Sequence, residues 1–374
     1  MKIGFDAKRL FHNKTGLGNY SRDLVRILSS NFPENQYFLY NPKPKKIDRI
    51  SLENQIIVEK LPTTTFYKRY NALWRLFGIK KDIESDEIDI FHGLSGEIPL
   101  FLTPKKPKTI VTIHDLIFMR YPELYSFIDR KIHYWKFKYA AKNADLVIAI
   151  SEQTKKDIVS FLNINPGKIK VIYQGCAPIF KSHLSTELIT QTKEKYGLPE
   201  EYLLNVGTIE ERKNIFSVVK AIKGTAITLV VVGKKTRYFN SISKYVDENA
   251  LQNQIIFLEN VALNELAAIY KSAKIFIYPS VFEGFGIPIV EALYSKVPVI
   301  TTQDGCFWEA GGESSIYIDP KNIEDIKKNI VALWNDNAVQ EKMRIEGFKF
   351  AQKFNDDLIA KNMLEAYNLV LEKK

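Results

Sequence analysis

Two cysteines, Cys176 and Cys306, are all that 374 residues offer. They are too few for a disulfide framework and read as small buried hydrophobes in a reducing compartment. Histidine is sparse as well, at five, and no His/Cys cluster has metal-ligand spacing. No Asp-x-Asp pair stands at a strand end; Asp86-Glu87-Ile88-Asp89 runs into a strand instead. Apolar runs stop short of the ~18 residues that a membrane-spanning helix needs. The opening Met1-Lys2-Ile3-Gly4-Phe5-Asp6 enters a strand pattern directly, without the layout of a secretory leader. These absences make the expectation a cytoplasmic protein with no metal and no other cofactor.

What is present is a globular chain, 45% hydrophobic and 26% charged, long enough for two domains of roughly 150–200 residues. Excess positive charge is confined to one half. Residues 1–185 hold 30 Lys/Arg against 18 Asp/Glu, whereas residues 186–374 hold 23 against 25. Such a bias serves nucleic acid, anionic lipid or a phosphorylated substrate, and composition does not choose among them.

Short β-rich runs at 2–5, 37–40, 56–59, 88–91, 109–113, 146–149 and 170–172 alternate with helix-period segments at 18–30, 66–83, 127–141 and 152–162. The second half repeats the rhythm with runs at 202–206, 227–232, 254–257, 275–277, 298–301 and 316–318. Its intervening helices fall at 215–223, 241–249, 263–271 and 288–295. Alternation of this kind predicts an α/β protein made of two Rossmann-like, doubly wound parallel sheets. The rhythm lapses between Gly175 and Lys195, which reads as a linker and sets domains at 1–182 and 183–355. The final amphipathic helix, about 356–374, is expected to cross back onto the first domain. Sheets of this type bind ligands at the carboxyl ends of their strands.

The strongest local signal is Phe282-Glu283-Gly284-Phe285-Gly286-Ile287-Pro288, continuing to Glu291. Pro288 suits the first turn of a helix, and the two glycines let backbone approach a ligand just before it. The result is a glycine loop that feeds unpaired N–H groups into a helix N-terminus, a natural diphosphate cradle. Glu291 lies one turn inside an apolar helix, where a carboxylate is costly unless hydrogen-bonded. The alternative for either glutamate is a structural pairing with Arg or Lys. A second segment, Gly207-Thr208-Ile209-Glu210-Glu211-Arg212-Lys213-Asn214, follows a strand and precedes a helix. Its adjacent cations can neutralise a leaving diphosphate, although such a pair is commonly a solvated turn. In the first half, His114-Asp115 lies just past a strand end. Thr15-Gly16-Leu17-Gly18-Asn19-Tyr20 opens a helix but lacks the third glycine of a dinucleotide fingerprint. Phe91-His92-Gly93-Leu94 is a further strand-end loop, expected to be structural.

The Glu283…Glu291 spacing around Gly-Phe-Gly-Ile-Pro resembles the signature of glycosyltransferase family 4. Thr112-Ile113-His114-Asp115-Leu116 and the Gly-x-Gly-x-Tyr loop at 16–20 are similar to further segments of that family. The resemblance implies a retaining enzyme of GT-B fold, with two domains facing a central cleft and no metal. It implies that Glu291 binds the nucleotide ribose and Glu283 the donor sugar, with the amides of Gly284, Phe285, Gly286 and Ile287 at sugar and phosphate. It places Lys213 on the donor phosphates. Many members carry an arginine directly after the first glycine, where this chain has Thr208, so Arg212 is expected to stand in. His114 would lie by the transferred sugar with Asp115 orienting it, and Gly16 and Gly18 would approach the diphosphate. The pattern looks most like mannosyltransferases of surface polysaccharide assembly. That makes GDP-mannose the first expectation for donor, a UDP-sugar the second, and a lipid-linked or oligosaccharide chain the acceptor.

Two other classes compete. A hydrolase would use Glu283 and Glu291 as acid and nucleophile, but hydrolysis of a neutral glycoside needs no phosphate cradle. A non-catalytic binder of nucleic acid or anionic membrane would rest on the basic first half. The aromatic and cationic segment 66–77 fits either a buried amphipathic helix or an interfacial one. With 134–138 it could dock on the inner face of a plasma membrane; a nucleic-acid partner is not expected.

Overall fold

A computed structural model describes residues 1–13, 15–45, 55–100, 102 and 107–372. The chain divides into two compact units, one formed by Met1–Gly175 and the segment from Phe354 onward, the other by Cys176–Lys353.

The first unit is built on seven strands: β1 Lys2–Asp6, β2 Gln36–Tyr40, β3 Ile57–Lys60, β4 Ile90–Gly93, β5 Lys108–Ile113, β6 Leu146–Ala149 and β7 Ile169–Val171. They pair in the order β3-β2-β1-β4-β5-β6-β7, every pair parallel. Alternation along the strands covers both faces. Ile3, Phe5, Ile110 and Ile148 pack with residues of helix Gly16–Asn31 and of the last helix, Asp356–Glu372. Val111, Ile113, Val147 and Ala149 pack under helices Phe127–Asn143 and Glu152–Leu162 on the other side. A sheet buried on both faces needs near-continuous apolar strands, which is why these runs stand out in the sequence. The last helix contributes Met363, Ala366, Tyr367 and Val370 to the core, and Arg26 pairs with its Asp356 at 2.8 Å.

The second unit has six strands: β8 Leu203–Val206, β9 Leu229–Val232, β10 Ile255–Leu258, β11 Ile275–Tyr278, β12 Val299–Thr302 and β13 Ile316–Ile318. Their order is β10-β9-β8-β11-β12-β13, again all parallel. In each sheet the strand order reverses direction beside the first strand of the unit, between β1 and β4 and between β8 and β11. Loops leaving those strands are where such folds hold ligands.

Three expectations need correction. The stretch taken for a linker contains a helix, Thr186–Tyr196, capped by the Ser185 hydroxyl, which accepts from Leu188 N at 3.2 Å. The unit boundary falls at 175/176, not at 182/183, because Phe180 packs edge-on against Tyr270, 5.5 Å between centroids. The segment 66–83 is no continuous helix. It breaks into Thr65–Arg69, Asn71–Leu73, a π-turn at Trp74–Gly78 and Ile79–Ser85. Of its aromatics only Trp74 is buried, while Phe66, Tyr70 and Phe77 are exposed.

Candidate functional site

In the second unit the site grows from the loops after β8 and β11. Asn214, in the left-handed conformation at φ 56°, starts helix Ile215–Ile222. Its side-chain amide donates to Pro320 O at 2.6 Å and Pro279 O at 3.3 Å, which ties the Arg212-Lys213 turn to the β11 loop. Arg212 and Lys213 then converge on one carboxylate. Arg212 Nη1 lies 2.8 Å and Lys213 Nζ 2.5 Å from Glu283 Oε1. The Tyr278 hydroxyl reaches the same oxygen at 3.1 Å and lies 2.7 Å from Lys213 Nζ. Arg212 also donates to Glu210 Oε1 at 2.6 Å and to Phe282 O at 2.5 Å. Burial pushes the Glu283 carboxyl up, but Lys213 and Arg212 outweigh it and hold the group below its ordinary 4.5. Burial would lower Arg212, yet Glu283 and Glu210 keep it firmly charged.

The glycine loop follows directly. Gly286, at φ 114°, adopts a conformation that disfavours a side chain and launches helix Ile287–Tyr294 with Pro288 in its first turn. The Cys306 thiol donates to Phe285 O at 3.0 Å and Glu283 O at 3.2 Å. It thereby anchors these carbonyls from behind. Glu291, half-buried, accepts from the Tyr270 hydroxyl at 2.9 Å. That bond eases part of the cost of a carboxylate on an apolar helix. Thr208 is half-buried between Gly207 and Ile209 in the β8 loop. Arg212, Lys213, Glu283, Gly284, Phe285, Gly286, Ile287 and Glu291 thus lie on two adjoining loops and the helix that follows one of them. Of the residues sequence reasoning missed, Tyr278 ends β11 five positions before Glu283. Tyr270, Cys306 and the tying role of Asn214 carry no local signal.

In the first unit His114 follows β5. Its Nε2 is 2.9 Å from Leu94 O, so the nitrogen donates and the neutral ring keeps a lone pair on Nδ1. Burial pushes it down to about 4, only partly opposed by that hydrogen bond. Tyr20 packs edge-on at 4.5 Å from the His114 ring. Behind it runs a buried chain: Tyr20 Oη to Thr112 Oγ1 at 3.1 Å, Thr112 Oγ1 to His92 Nε2 at 2.8 Å, and His92 Nδ1 to Tyr367 Oη at 2.9 Å. His92, inside β4, is therefore structural, and burial pushes it down to about 3. Asp115 turns its Oδ1 to Ile117 N at 3.1 Å. With His114 it lines a cavity of about 160 Å³ shared with Arg9, Glu97, His133 and Phe137. Gly18 is pressed against Asn13, where a Cβ would come within 1.9 Å of the carbonyl oxygen, whereas Gly16 is exposed with open space around it. His114, Asp115, Gly16 and Gly18 thus belong to one unit and the glutamates with their cations to the other. The acidic run 86–89 is structural: Asp86 pairs with Lys60 at 2.6 Å, and Asp89 accepts from Lys2 N at 2.9 Å.

Comparison with known proteins matches both units. Residues 15–178 fit the family model described as Glycosyltransferase Family 4, and residues 189–350 fit Glycosyl transferases group 1. The chain belongs to this glycosyltransferase family. It is 33% identical over 228 residues to the O-antigen chain mannosyltransferase RfbU of Salmonella typhimurium, a match spanning 60% of this chain and 61% of that protein. It is 24% identical to O-antigen chain mannosyltransferase B of Escherichia coli, over 99% of this chain and 100% of the other. Among solved structures, a glycosyltransferase from Rickettsia africae superposes with TM-score 0.77 at 18% identity, covering 100% and 99% of the two chains. Anabaena HepE, solved with UDP and glucose, gives 0.76 at 17%, covering 99% and 100%. The fold is GT-B. Among the described residues of this glycosyltransferase no helix is long and apolar enough to cross a membrane.

Proposed function

We propose that the enzyme is a retaining hexosyltransferase that moves mannose from GDP-mannose to a lipid-linked or polysaccharide acceptor, without a metal ion. The observation that carries this reading is the meeting of Arg212, Lys213 and Glu283 at the mouth of the glycine loop. Two half-buried cations there are suited to take up the charge that builds on a departing diphosphate. As the C1–oxygen bond to the diphosphate breaks, a phosphate oxygen accepts the acceptor's proton and the acceptor oxygen bonds C1 on the same face. The amides at the start of helix Ile287–Tyr294 hold sugar and phosphate, and Glu291 binds the ribose. Nδ1 of His114 offers an acceptor to a sugar hydroxyl, and Asp115 orients the same sugar. Mannose is favoured because the relatives matched over most of the chain's length are named mannosyltransferases. The basic first unit is the part that would meet an anionic inner membrane face.

Thermal stabilisation by GDP, GDP-mannose, UDP and UDP-sugars, with EDTA present, tests this on wild type and Glu291→Ala. A ligand at 100 times its Kd stabilises by roughly 2.7 kcal/mol. The expected outcome is a shift with guanine nucleotides that is lost in the variant. A shift with UDP alone makes the donor a UDP-sugar, and no shift with any nucleotide unless metal is restored overturns metal independence. The anomeric configuration of the product, read by NMR, decides retention.

A further inference from the structure

We propose that the second unit holds a further site, for a small phosphate-bearing anion, in a cationic cavity at the amino-terminal edge of its sheet. The site stands apart from the loops around Glu283, whichever nucleotide those loops hold.

The cavity has a volume of about 380 Å³, within the roughly 300–1,000 Å³ usual for small-molecule pockets. Its walls come from the segments that lead into three strands and from one helix. Glu200 and Glu201 precede β8, Lys271 and Lys274 precede β11, and Lys296 precedes β12. Helix Asn337–Ala351 adds Asn337, Gln340 and Arg344, which steps of three and four put on one face. The loops that carry Arg212, Lys213 and Glu283 leave the opposite ends of β8 and β11. Strand β11 runs from Ile275, next to Lys274, to Tyr278, whose hydroxyl reaches Glu283. At ~3.3 Å per residue that strand separates the two places by roughly 13 Å.

Four cations and two carboxylates line the cavity, and both carboxylates are already engaged. Lys274 Nζ donates to Glu201 at 2.9 Å, and Glu200 is held by Lys193 at 2.7 Å. Lys271 and Lys296 remain. Among the described residues neither has a carboxylate within ion-pair distance. Burial, and next the charge of Lys296, hold the Lys271 ammonium below its ordinary 10.5. Lys296 Nζ lies 5.0 Å from the centre of the Phe348 ring and Lys274 Nζ 4.8 Å from that of Trp334, which keeps both in place. Arg344 is steadied by Gln340, whose Oε1 accepts from Nη2 at 3.3 Å while its amide donates to Leu333 O at 2.8 Å. Its ion pair with Glu341, at 3.3 Å, is at the surface and counts for little.

Like charges gathered without a counterion destabilise a fold, and a bound anion removes that penalty. A lysine in the last turn of a helix, as Lys271 is in Leu263–Ser272, does stabilise that helix by itself. Arg344 stands in mid-helix, however, and Lys271, Lys296 and Arg344 come from three separate elements, which helix-end stabilisation does not explain. The start of helix Asn337–Ala351 is capped by Asp336, which accepts from Val339 N at 2.9 Å, so the attraction rests on the side-chain cations. Ammonium and guanidinium groups only donate. A phosphate group answers them with about −1.5 to −2 charge and three acceptor oxygens. Ser272 and Asn337 add neutral polar groups to the same wall, which suits the hydroxyls of a phosphorylated sugar as well as free pyrophosphate.

The test is isothermal titration calorimetry of the full chain with inorganic pyrophosphate and, separately, with a hexose 6-phosphate, at low salt. At least one should bind wild type, and the tighter of the two names the source of the phosphate. Lys271→Met with Lys296→Met keeps the apolar stems and removes two charge-assisted contacts, so affinity should fall by about tenfold or more. Arg344→Met, on another element, should weaken binding in the same direction. Both variants should keep the wild-type melting temperature and nucleotide-induced shift. Lys213→Met, which leaves Arg212 on Glu283, should leave the titration unchanged. Loss of binding in Lys213→Met with binding intact in Lys271→Met/Lys296→Met would place the anion at the other edge and overturn the proposal. So would no binding of either anion by wild type, or equal weakening by Lys244→Met with Lys328→Met, two exposed lysines elsewhere in the unit.

Discussion

Replacing Glu283 by glutamine keeps the side chain's shape and removes the anion that Arg212 and Lys213 share. Four charges cancel in the unliganded cluster, two from those cations and two from Glu283 and Glu210. In the variant Arg212 keeps Glu210 and the Phe282 carbonyl, while Lys213 retains the Tyr278 hydroxyl. Removing one partner of a buried ion pair costs about 3–5 kcal/mol, and the surviving partners of Arg212 put this case near 3. For a unit of this size that lowers Tm by about 6–12 °C. A nucleoside diphosphate restores negative charge to the uncovered cations. The ligand-induced rise in Tm should therefore be larger in Glu283→Gln than in wild type, while transfer is lost. Differential scanning fluorimetry with and without GDP, paired with a transfer assay, reads both. An unchanged Tm in the absence of ligand, or a nucleotide shift that disappears along with transfer, would refute the argument that Glu283 covers the diphosphate site.

Stability should also fall with acid in a defined window. His114 and His92 are held down to about 4 and about 3 in the folded state, against an ordinary 6.5. Below pH 6.5 the unfolded chain takes up protons that the folded chain refuses, so their contribution is complete above 6.5 and lost as pH falls toward 4. With two such groups the loss reaches about 2.7 kcal/mol per pH unit in mid-window, and urea titrations at pH 7, 6 and 5 should resolve it; a flat profile would mean the rings accept protons when folded. Gly18→Ala forces a methyl onto the Asn13 carbonyl and should cost about 3 kcal/mol. Gly16→Ala meets open space and should stay within about 0.5 kcal/mol of wild type, and chemical denaturation of the two variants makes the comparison.

Much of the scaffold is legible in the sequence because parallel strands buried on both faces leave short apolar runs between turns. All thirteen strands fall on such runs, within two residues at either end. Helix Thr186–Tyr196 is not legible, since only Thr192 among its residues is buried and it shows no apolar stripe. The segment 66–83 misleads in the opposite way. Its aromatics keep helical spacing, yet the chain breaks at Tyr70 and widens into a π-turn, and of those aromatics tertiary packing buries Trp74 alone. At the site, residue types at fixed local spacing single out both glutamates and the Arg-Lys turn. What spacing cannot show is that Lys213, seventy positions upstream of Glu283, and its neighbour Arg212 pair with it. Nor can it show the buried relay from Tyr367 through His92 and Thr112 to Tyr20, which joins the end of the chain to the ring beside His114.

That pairing changes what the cationic loop can be. Read from the sequence, Arg212 and Lys213 are either a solvated turn or two charges for a leaving diphosphate, and Glu283 is either a donor contact or the structural partner of an Arg or Lys. In the folded unit they are already neutralised, so on the proposed reading a diphosphate would have to compete with a carboxylate that is covalently in place. Exchange of one anion for another returns little free energy by itself. If the proposed donor site is right, the net gain would come from what a nucleotide sugar brings besides charge: a ribose at Glu291, the sugar itself, and contacts with N–H groups at the start of helix Ile287–Tyr294. A neutral cluster at such a site would therefore discriminate against inorganic phosphate and pyrophosphate, which offer charge without those contacts. It also leaves the cations able to strengthen their hold as charge develops on the leaving group, an interaction made in the transition state and not spent in the ground state.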